Sequence, residues 1–289
     1  MNPTKISALT SASAGALAAV SLLALAGQAA AQGPGRPAPP ANAQAADAGT
    51  DLTGQWVSVV TEDWRWRMVT PAKGDYASVP LNAEGKKLAD AWDLAADNAA
   101  GQQCRAFGVG GLMRMPTRLR ISWQDPNTLK VETDAGQQTR LLHFVQPGIG
   151  NISPALEAAG PAPAERTWQG QSKAQWFKQP QSRGLGFGGG FAPGPAALRV
   201  VTRDMLAGYL RKNGVPYSED AVVTEQFNRW DLPGGEAWMT VTTIVHDPKY
   251  LSQDFVTSTD FRKETAPGKW NPTPCRTPPP LQKAAVKTE

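Results

Sequence analysis

The chain has 289 residues, of which 41% are hydrophobic, so it is long enough to bury a sizeable core. Its formal net charge of +4 is too small to define a partner, and its lysines and arginines are scattered, which argues against nucleic-acid binding. Its two histidines and two cysteines form no metal-binding spacing, and we expect no metal and no cofactor.

A charged residue, a short apolar segment and three small residues open the chain in that order: Lys5, residues 14–26 and Ala29-Ala30-Ala31. This is the order of a secretory signal, and the sequence predicts cleavage after Ala31. The apolar segment is shorter than the about 20 strongly apolar residues that span a bilayer. We therefore expect a periplasmic or secreted protein whose mature chain has no membrane span.

Composition divides the rest of the chain into three parts. Residues 32–50 are mostly Ala, Pro, Gly, Gln and Asn, which bury too little apolar surface to fold, and they are predicted to be a disordered leader. Residues 51–275 are predicted to be a single domain, since mainly-β domains of this length occur as one unit. Residues 276–289 are predicted to be a flexible tail.

The first predicted strands lie at residues 54–60 and 63–69, where polar and apolar residues alternate. A helix is predicted next, after Asn82, which is a suitable N-cap. Its apolar residues recur at the spacing of one helix face, at Leu88, Ala91, Trp92 and Ala95. We expect this helix to cover one end or side of a sheet.

The two cysteines, Cys104 and Cys275, are predicted to form a disulfide, because a lone pair in an oxidising compartment is most often bonded. The bond would tie the C-terminal tail onto the body. The alternative is a free catalytic thiol, which would need a histidine nearby.

An antiparallel meander is predicted after Cys104. Residues 117–123 and 128–134 flank an Asp-Pro-Asn turn, and residues 137–145 add a third strand. Further strands are predicted at residues 166–177, 197–203, 221–230, 237–246 and 255–263. Short sequential strands without alternating helices indicate a mainly β fold. We expect a meander closed as a barrel of about 8–10 strands with one covering helix, because closure removes the edges that a sandwich would leave exposed.

The first strand opens with Leu52-Thr53-Gly54-Gln55-Trp56, which resembles the Gly-x-Trp opening of lipocalin-type (calycin) barrels. In those barrels the tryptophan packs at the closed end against a basic residue of the last strand. The resemblance implies that Arg262 is the partner of Trp56 here.

More of the chain resembles a widespread group of exported bacterial proteins. The shared motifs, beyond the Thr-Gly-x-Trp start, are Glu62-Asp63-Trp64, the Cys104 loop ending in Met115-Pro116, residues 209–218, residues 224–227 and residues 247–250. That group has no established activity. The resemblance therefore implies an exported, lipocalin-like barrel and names no substrate.

The most unusual segment is residues 62–68, Glu-Asp-Trp-Arg-Trp-Arg-Met. On a strand, Trp64 and Trp66 would share one face, and Arg65 and Arg67 the other. The barrel interior would then be either lined by aromatic rings or positively charged. In the alternative arrangement the tryptophans fill the core and the arginines face water.

A second candidate region is residues 209–220, where polar groups are dense beside a glycine and a proline. It contains Tyr209, Arg211, Lys212 and Tyr217. A tyrosine, an arginine and a carboxylate together can transfer a proton and stabilise an anion. The alternative is an ordered surface turn with its own ion pairs. The Gly-x-Gly-x-x-Gly match at residues 184–189 lacks a flanking helix and predicts no dinucleotide site.

The favoured function is a periplasmic barrel that binds a small, partly apolar molecule, neutral or anionic. Trp64 and Trp66 would form the contact surface, and Arg67 or Arg211 would be the charge partner. This interpretation depends on the lipocalin-like start and on the ten tryptophans of the chain. No protein partner is indicated.

The alternative function is a cofactor-independent lyase, isomerase or hydrolase on the same barrel, since barrels host both carriers and enzymes. Tyr209 or Tyr217 would act with Glu62, Asp63 or His246. A third hypothesis is a passive envelope component, which predicts a barrel interior filled by its own side chains.

Overall fold

The structure is a computed structural model that describes residues 48–145, 152–182, 191–266 and 268–282. The predicted signal, most of the predicted leader and the Gly-x-Gly-x-x-Gly match lie outside the described residues. Eleven strands are β1 (Gly54–Val59), β2 (Arg118–Asp125), β3 (Thr128–Thr133), β4 (Thr139–Phe144), β5 (Gln171–Ser182), β6 (Phe191–Arg203), β7 (Gly208–Arg211), β8 (Val215–Tyr217), β9 (Val222–Asp231), β10 (Ala237–His246) and β11 (Phe255–Glu264).

Five short helices accompany the strands: α1 (Trp64–Arg67), α2 (Ala83–Ala91), α3 (Leu94–Ala99), α4 (Val109–Leu112) and α5 (Pro154–Glu157), with a 3-10 turn at Arg105–Phe107. Nine strands close into a barrel in the order β1-β11-β10-β9-β6-β5-β4-β3-β2, and β7 and β8 form a separate hairpin. The mainly β fold and its barrel are thereby confirmed. One pair departs from the predicted antiparallel order, because β5 runs parallel to β4.

Alternation along the strands fills the barrel. In β10, Ala237, Met239, Val241, Thr243 and Val245 are buried, while the residues that alternate with them are less so. Large side chains from several strands join one core cluster, among them Trp56, Trp176, Phe227 and Phe261. A barrel of about this strand number has an interior that side chains can fill. The filled interior is what the envelope-component hypothesis predicted, and it directs attention to the ends of the barrel.

The strand directions place four connections at one end of the barrel, which we call the capped end. These are residues 60–117, 134–138, 204–221 and 247–254, because β1, β3, β6 and β10 all end there. Residues 60–117 carry α1 to α4, and residues 204–221 carry the β7–β8 hairpin. The hairpin packs against α2, α4 and the 3-10 turn. The helical connection and the hairpin therefore cover this end together.

The predicted strand at residues 63–69 is wrong, because this segment forms the helical turn α1. Asp63 adopts a left-handed conformation with φ of 52°, which turns the chain out of β1. Its carbonyl then accepts hydrogen bonds from the amides of Trp66 and Arg67, at 2.8 and 3.1 Å. Over four residues, alternation of Trp and Arg fits a helical turn as well as a strand.

The single predicted helix is two helices. Asn82 caps α2 as predicted, its side chain accepting from the amide of Gly85 at 2.9 Å. The helix ends before Trp92, whose ψ of 135° is extended. Asp93 then caps α3 by accepting from the amides of residues 95 and 96. The break lets Trp92 pack against Gly214 of the β7–β8 turn, where φ is +78° and an added Cβ would lie 2.0 Å from the indole ring.

The basic residue beside Trp56 is Lys263, and the expected partner Arg262 is wrong. Lys263 is the residue opposite Trp56 in the β1–β11 ladder, and its ammonium lies 5.5 Å from the centroid of the indole ring. Arg262 is exposed and pairs with Glu236. A shift of one residue along a strand moves a side chain to the other face of the sheet, which explains the difference.

A buried ion pair crosses the interior near the capped end. Arg140 donates two hydrogen bonds to the carboxylate of Glu225, one of them 3.0 Å long, and both side chains are almost completely buried. The same guanidinium donates to Thr202 at 3.3 Å, and Thr202 bonds Ser172 at 2.8 Å. Arg140 therefore faces inward, whereas Arg118 and Arg120 lie on the outside of β2.

The substitution Glu225→Gln should lower the free energy of unfolding by about 3–5 kcal/mol, because it leaves the Arg140 charge buried without a counter-ion. Chemical denaturation at pH 7 measures this change. As a control, Asp90→Asn breaks an exposed pair with Lys86 and should change the free energy of unfolding only slightly. A loss for Glu225→Gln as small as that of the control would show that the buried pair does not constrain the barrel.

Candidate functional site

A cavity of about 420 Å³ lies at the capped end, and we call it the Lys212 pocket. It is assembled from segments that are distant in the sequence. Its lining residues are Met68, Phe107, Met115, Pro116, Ala135, Lys212, Thr273, Pro274, Arg276 and Pro278. Most of these side chains are apolar, and the two charged ones are both cationic.

The C-terminal segment supplies one wall of the pocket. It leaves β11 at the opposite end of the barrel and returns along the outside of the sheet. On the way, the guanidinium of Arg120 stacks on the ring of Trp270 at 4.2 Å. Thr273 then joins the β3–β4 turn, its amide donating to Asp134 at 2.8 Å and its carbonyl accepting from Gly136 at 2.9 Å.

The disulfide between Cys104 and Cys275 fixes that wall in place. The two Cα atoms lie 5.1 Å apart, and the bond joins residues 171 positions apart in the sequence. The predicted disulfide is confirmed, and since these are the only two cysteines of the chain, the alternative of a free catalytic thiol is excluded. Thr273, Pro274 and Arg276 flank Cys275 and are held beside the helical connection.

Lys212 follows β7 and is only 6% exposed. Its ammonium donates one hydrogen bond, to the carbonyl oxygen of Arg67 at 2.8 Å, and forms no ion pair with any described carboxylate. Burial lowers the pKa of Lys212 to about 8, because the charged form loses its hydration. At neutral pH the pocket is therefore lined by a buried cation without a counter-ion.

The Arg67 side chain is committed to holding the cap together. Its guanidinium is inaccessible to solvent and pairs with Glu62. Its Nε donates to the carbonyl of Arg114 at 3.1 Å. Burial lowers the pKa of Arg67, and the charge of Glu62 opposes that shift. The Arg67 guanidinium is thus occupied within the cap, and the backbone carbonyl of Arg67 accepts the hydrogen bond of the Lys212 ammonium.

Arg67 belongs to a cluster in which arginines outnumber carboxylates. Arg114 donates to Asp63 at 2.8 Å, and Arg65 to Asp75 at 3.0 Å. Arg211 is 4% exposed, and among the described residues its Nε and Nη1 have no hydrogen-bond partner. Burial and the nearby charge of Arg114 lower the pKa of Arg211 to about 10, so it is charged at neutral pH.

The two predicted contact tryptophans take different positions. Trp64 is exposed to solvent, at 62%. Trp66 lies between two guanidinium groups, with Arg65 at 4.4 Å and Arg211 at 4.5 Å from its ring centroid, and its Nε1 donates to Asp75. Neither tryptophan lines the Lys212 pocket. Trp66 compensates the unpaired charge of Arg211 through a cation–π contact instead.

Tyr209 is paired with a carboxylate that the sequence did not indicate. Its hydroxyl donates to Asp97 at 2.8 Å, and Asp97 also accepts from Trp92 and Arg105, both at 3.0 Å. Burial and this hydrogen bond raise the pKa of Tyr209. Tyr209 is therefore a hydrogen-bond donor to a carboxylate that already accepts two other hydrogen bonds, and it lines a second cavity of about 270 Å³.

The other acid and base candidates are separate. Tyr217 is completely buried beside Gly108, Gly110 and Gly208, and burial raises its pKa. His246 is exposed and bonds Asp254 at 2.7 Å. Among the described residues no hydrogen bond joins any two of the five candidates Glu62, Asp63, Tyr209, Tyr217 and His246. Neither candidate tyrosine therefore bonds directly to Glu62, Asp63 or His246, and the catalytic set stays a prediction.

A cavity of about 400 Å³ at the opposite end of the barrel differs from the Lys212 pocket in its charge balance. Its cations have carboxylate neighbours: Arg262 lies 3.5 Å from Glu236, and Lys269 lies 3.4 Å from Glu264. The Lys212 pocket is thus the better candidate site, because it combines apolar walls with an uncompensated buried charge.

Comparisons with protein families, with curated proteins and with solved structures give no match. Among the helices of the described residues, none has the length and the apolar character needed to cross a membrane. Within the same part of the chain, no three His, Cys, Asp or Glu side chains gather as metal ligands.

Removal of the disulfide by Cys104→Ser with Cys275→Ser should release the tail from the pocket. Hydrogen exchange should show faster exchange at the amides of Thr273 and Gly136, with the amide of Val241 in β10 as an unchanged control. The free energy of unfolding should fall by about 2–5 kcal/mol, because the bond closes a long loop. Unaltered protection at Thr273 and Gly136 would mean that the wall stands without the disulfide.

Proposed function

We propose that this chain is an exported, lipocalin-like barrel protein that binds a small, partly apolar anion in the Lys212 pocket. One observation carries the proposal: the ammonium of Lys212 is buried at an apolar cavity and no described carboxylate pairs with it. Burying a charge without a partner is unfavourable. An acidic group on a ligand would supply the missing counter-charge.

The electrostatic gain is large enough to select an anion. Two unit charges 4 Å apart attract by about 4 kcal/mol at the effective dielectric constant of partly buried sites. Desolvation of the ligand offsets part of this gain, but the Lys212 cation has already lost its hydration during folding. A charge-assisted hydrogen bond to the ammonium adds direction to the attraction.

The walls of the pocket define the rest of the ligand. Met68, Phe107, Met115 and Pro116 offer apolar surface, and each methylene group buried there contributes about 0.8 kcal/mol. Methionine side chains adapt to differently shaped partners, so we expect tolerance in the apolar part. The volume of about 420 Å³ fits a small molecule with an acidic head group and an apolar body.

Export is part of the proposal. Lys5, the apolar residues 14–26 and the small residues up to Ala31 support it. The disulfide supports it as well, since such bonds persist in the periplasm and outside the cell.

Fluorescence titration with 8-anilinonaphthalene-1-sulfonate at pH 7 tests the site, and N-phenyl-1-naphthylamine, which lacks the sulfonate, is the matched neutral probe. Lys212→Met should weaken binding of the sulfonate by about tenfold and change binding of the neutral probe by less than about twofold, because only the charge pair is lost. Lys86→Met, which removes an exposed lysine of α2, should affect neither probe. Equal sulfonate affinity in the wild type and Lys212→Met would contradict the proposal.

The same titration repeated at higher pH separates Lys212 from ordinary lysines. Lys212 loses its proton as the pH rises through its pKa of about 8, so sulfonate affinity should fall between pH 7 and pH 9.5. An exposed lysine would keep its charge throughout this range. Lys212→Arg should keep the affinity constant, and it also shows whether a cation alone is sufficient at this position.

A further inference from the structure

We propose that the Lys212 pocket takes carbonyl compounds and holds them covalently, as an imine on the Nζ atom of Lys212. The inference rests on the proposed function and specifies its ligand class: an aldehyde or ketone with an apolar body and an acidic group. No described residue other than Lys212 combines an amine, deep burial and the wall of an apolar cavity.

The hydrogen bonding of Lys212 suits a nucleophilic amine. A neutral amine has two N–H donors and one lone pair. One donor is held by the carbonyl of Arg67 at 2.8 Å, which fixes the direction of the group. No described N–H or O–H donates to the amine, so its lone pair is free. By contrast, a protonated Lys212 has three N–H donors but only one acceptor to bond, the carbonyl of Arg67.

Burial favours the neutral amine of Lys212, because the charged form loses its hydration and no described carboxylate pairs with it. A second, small cavity is lined by Lys212 and by Asp97, which already accepts hydrogen bonds from Arg105, Tyr209 and Trp92. With a pKa of about 8, roughly a quarter of the amine is neutral at pH 7.5, against about one part in a thousand for an ordinary lysine.

The covalent step balances without an oxidant or a reductant. The Nζ lone pair attacks the carbonyl carbon, and the electron pair of the C=O bond moves to oxygen, which takes a proton from water. The nitrogen returns a proton to solvent, and the carbinolamine then loses water to give the C=N bond. One amine and one carbonyl thus give one imine and one water, and hydrolysis reverses the reaction.

The rest of the pocket would hold such a ligand in place. Met68, Phe107 and Met115 contact the apolar body, and Arg276 at the wall supplies a cation for an acidic group once Lys212 is used for the imine. The nucleophile and the anion-binding group are then different residues. Oxo acids with an apolar side chain combine all three features.

The test uses 6-formyl-2-naphthoate, which carries an aldehyde and a carboxylate on an apolar body, at pH 7.5 with cyanoborohydride to reduce the imine. Intact mass should increase by the mass of the probe less one oxygen atom, and peptide mapping should place the adduct on Lys212. We expect labelling at Lys212 to be at least about tenfold faster than at any exposed lysine, because far more of its amine is neutral. Lys212→Arg should form no such adduct, whereas Lys86→Met, which removes an exposed lysine of α2, should be labelled at Lys212 as fast as the wild type. The non-covalent control ligand for the wild type is 6-methyl-2-naphthoate, which has nearly the same shape without the aldehyde.

Two readouts keep the inference separate from the proposed function. Labelling of surface lysines as fast as Lys212, or no adduct on Lys212, overturns the imine. Displacement of the anilinonaphthalene sulfonate by 6-methyl-2-naphthoate measures anion binding without covalent chemistry. If displacement occurs and the adduct does not, the proposed function stands and the imine fails; if displacement fails in the wild type, the proposed function fails.

Discussion

Closure of the barrel through β1 determines where this protein can have a site. β1 pairs with β11 on one side and with β2 on the other, so the sheet has no free edge there. The closed interior is filled by large side chains, including Trp56, Trp176 and Phe227, and by the Arg140–Glu225 pair. Because the interior is filled, the larger pockets form at the two ends of the barrel, and the Lys212 pocket lies at the capped end.

Most of the buried cations of the cap have a charged or aromatic neighbour, whereas Lys212 has neither among the described residues. Glu62 pairs with Arg67 and Asp63 with Arg114, and Arg211 stacks on Trp66. Lys212 has only a backbone carbonyl, so its charge is the one that a ligand would neutralise. A buried charge without a counter-ion lowers the stability of the fold. The disulfide and the packing of the β7–β8 hairpin hold Lys212 in this position. This is the arrangement expected of a binding site rather than of a structural contact.

Local sequence patterns predicted the barrel and the disulfide, but they did not predict how the Lys212 pocket is assembled. Alternation identified most strands, and the count of two cysteines identified the disulfide, since both signals lie in the sequence itself. The turn at Asp63 depends on a left-handed backbone conformation that alternation does not reveal. Whether Arg262 or Lys263 lies opposite Trp56 depends on a difference of one residue in the β1–β11 register. Lys212 lay within the predicted candidate region, but its place in one pocket with Met115 and Arg276, which are distant in the sequence, could not be predicted, and the sequence indicated its neighbour Arg211 as the charge partner.

The most direct measurement is the pKa of Lys212 itself, from NMR of protein labelled with ¹³C at lysine Cε, with Lys212→Arg used to assign the signal. We expect a pKa of about 8 in the free protein and an increase when anilinonaphthalene sulfonate binds, because the anion stabilises the charged form. A pKa near that of an ordinary lysine, unchanged by the anion, would show that Lys212 is neither desolvated nor the group that binds the anion.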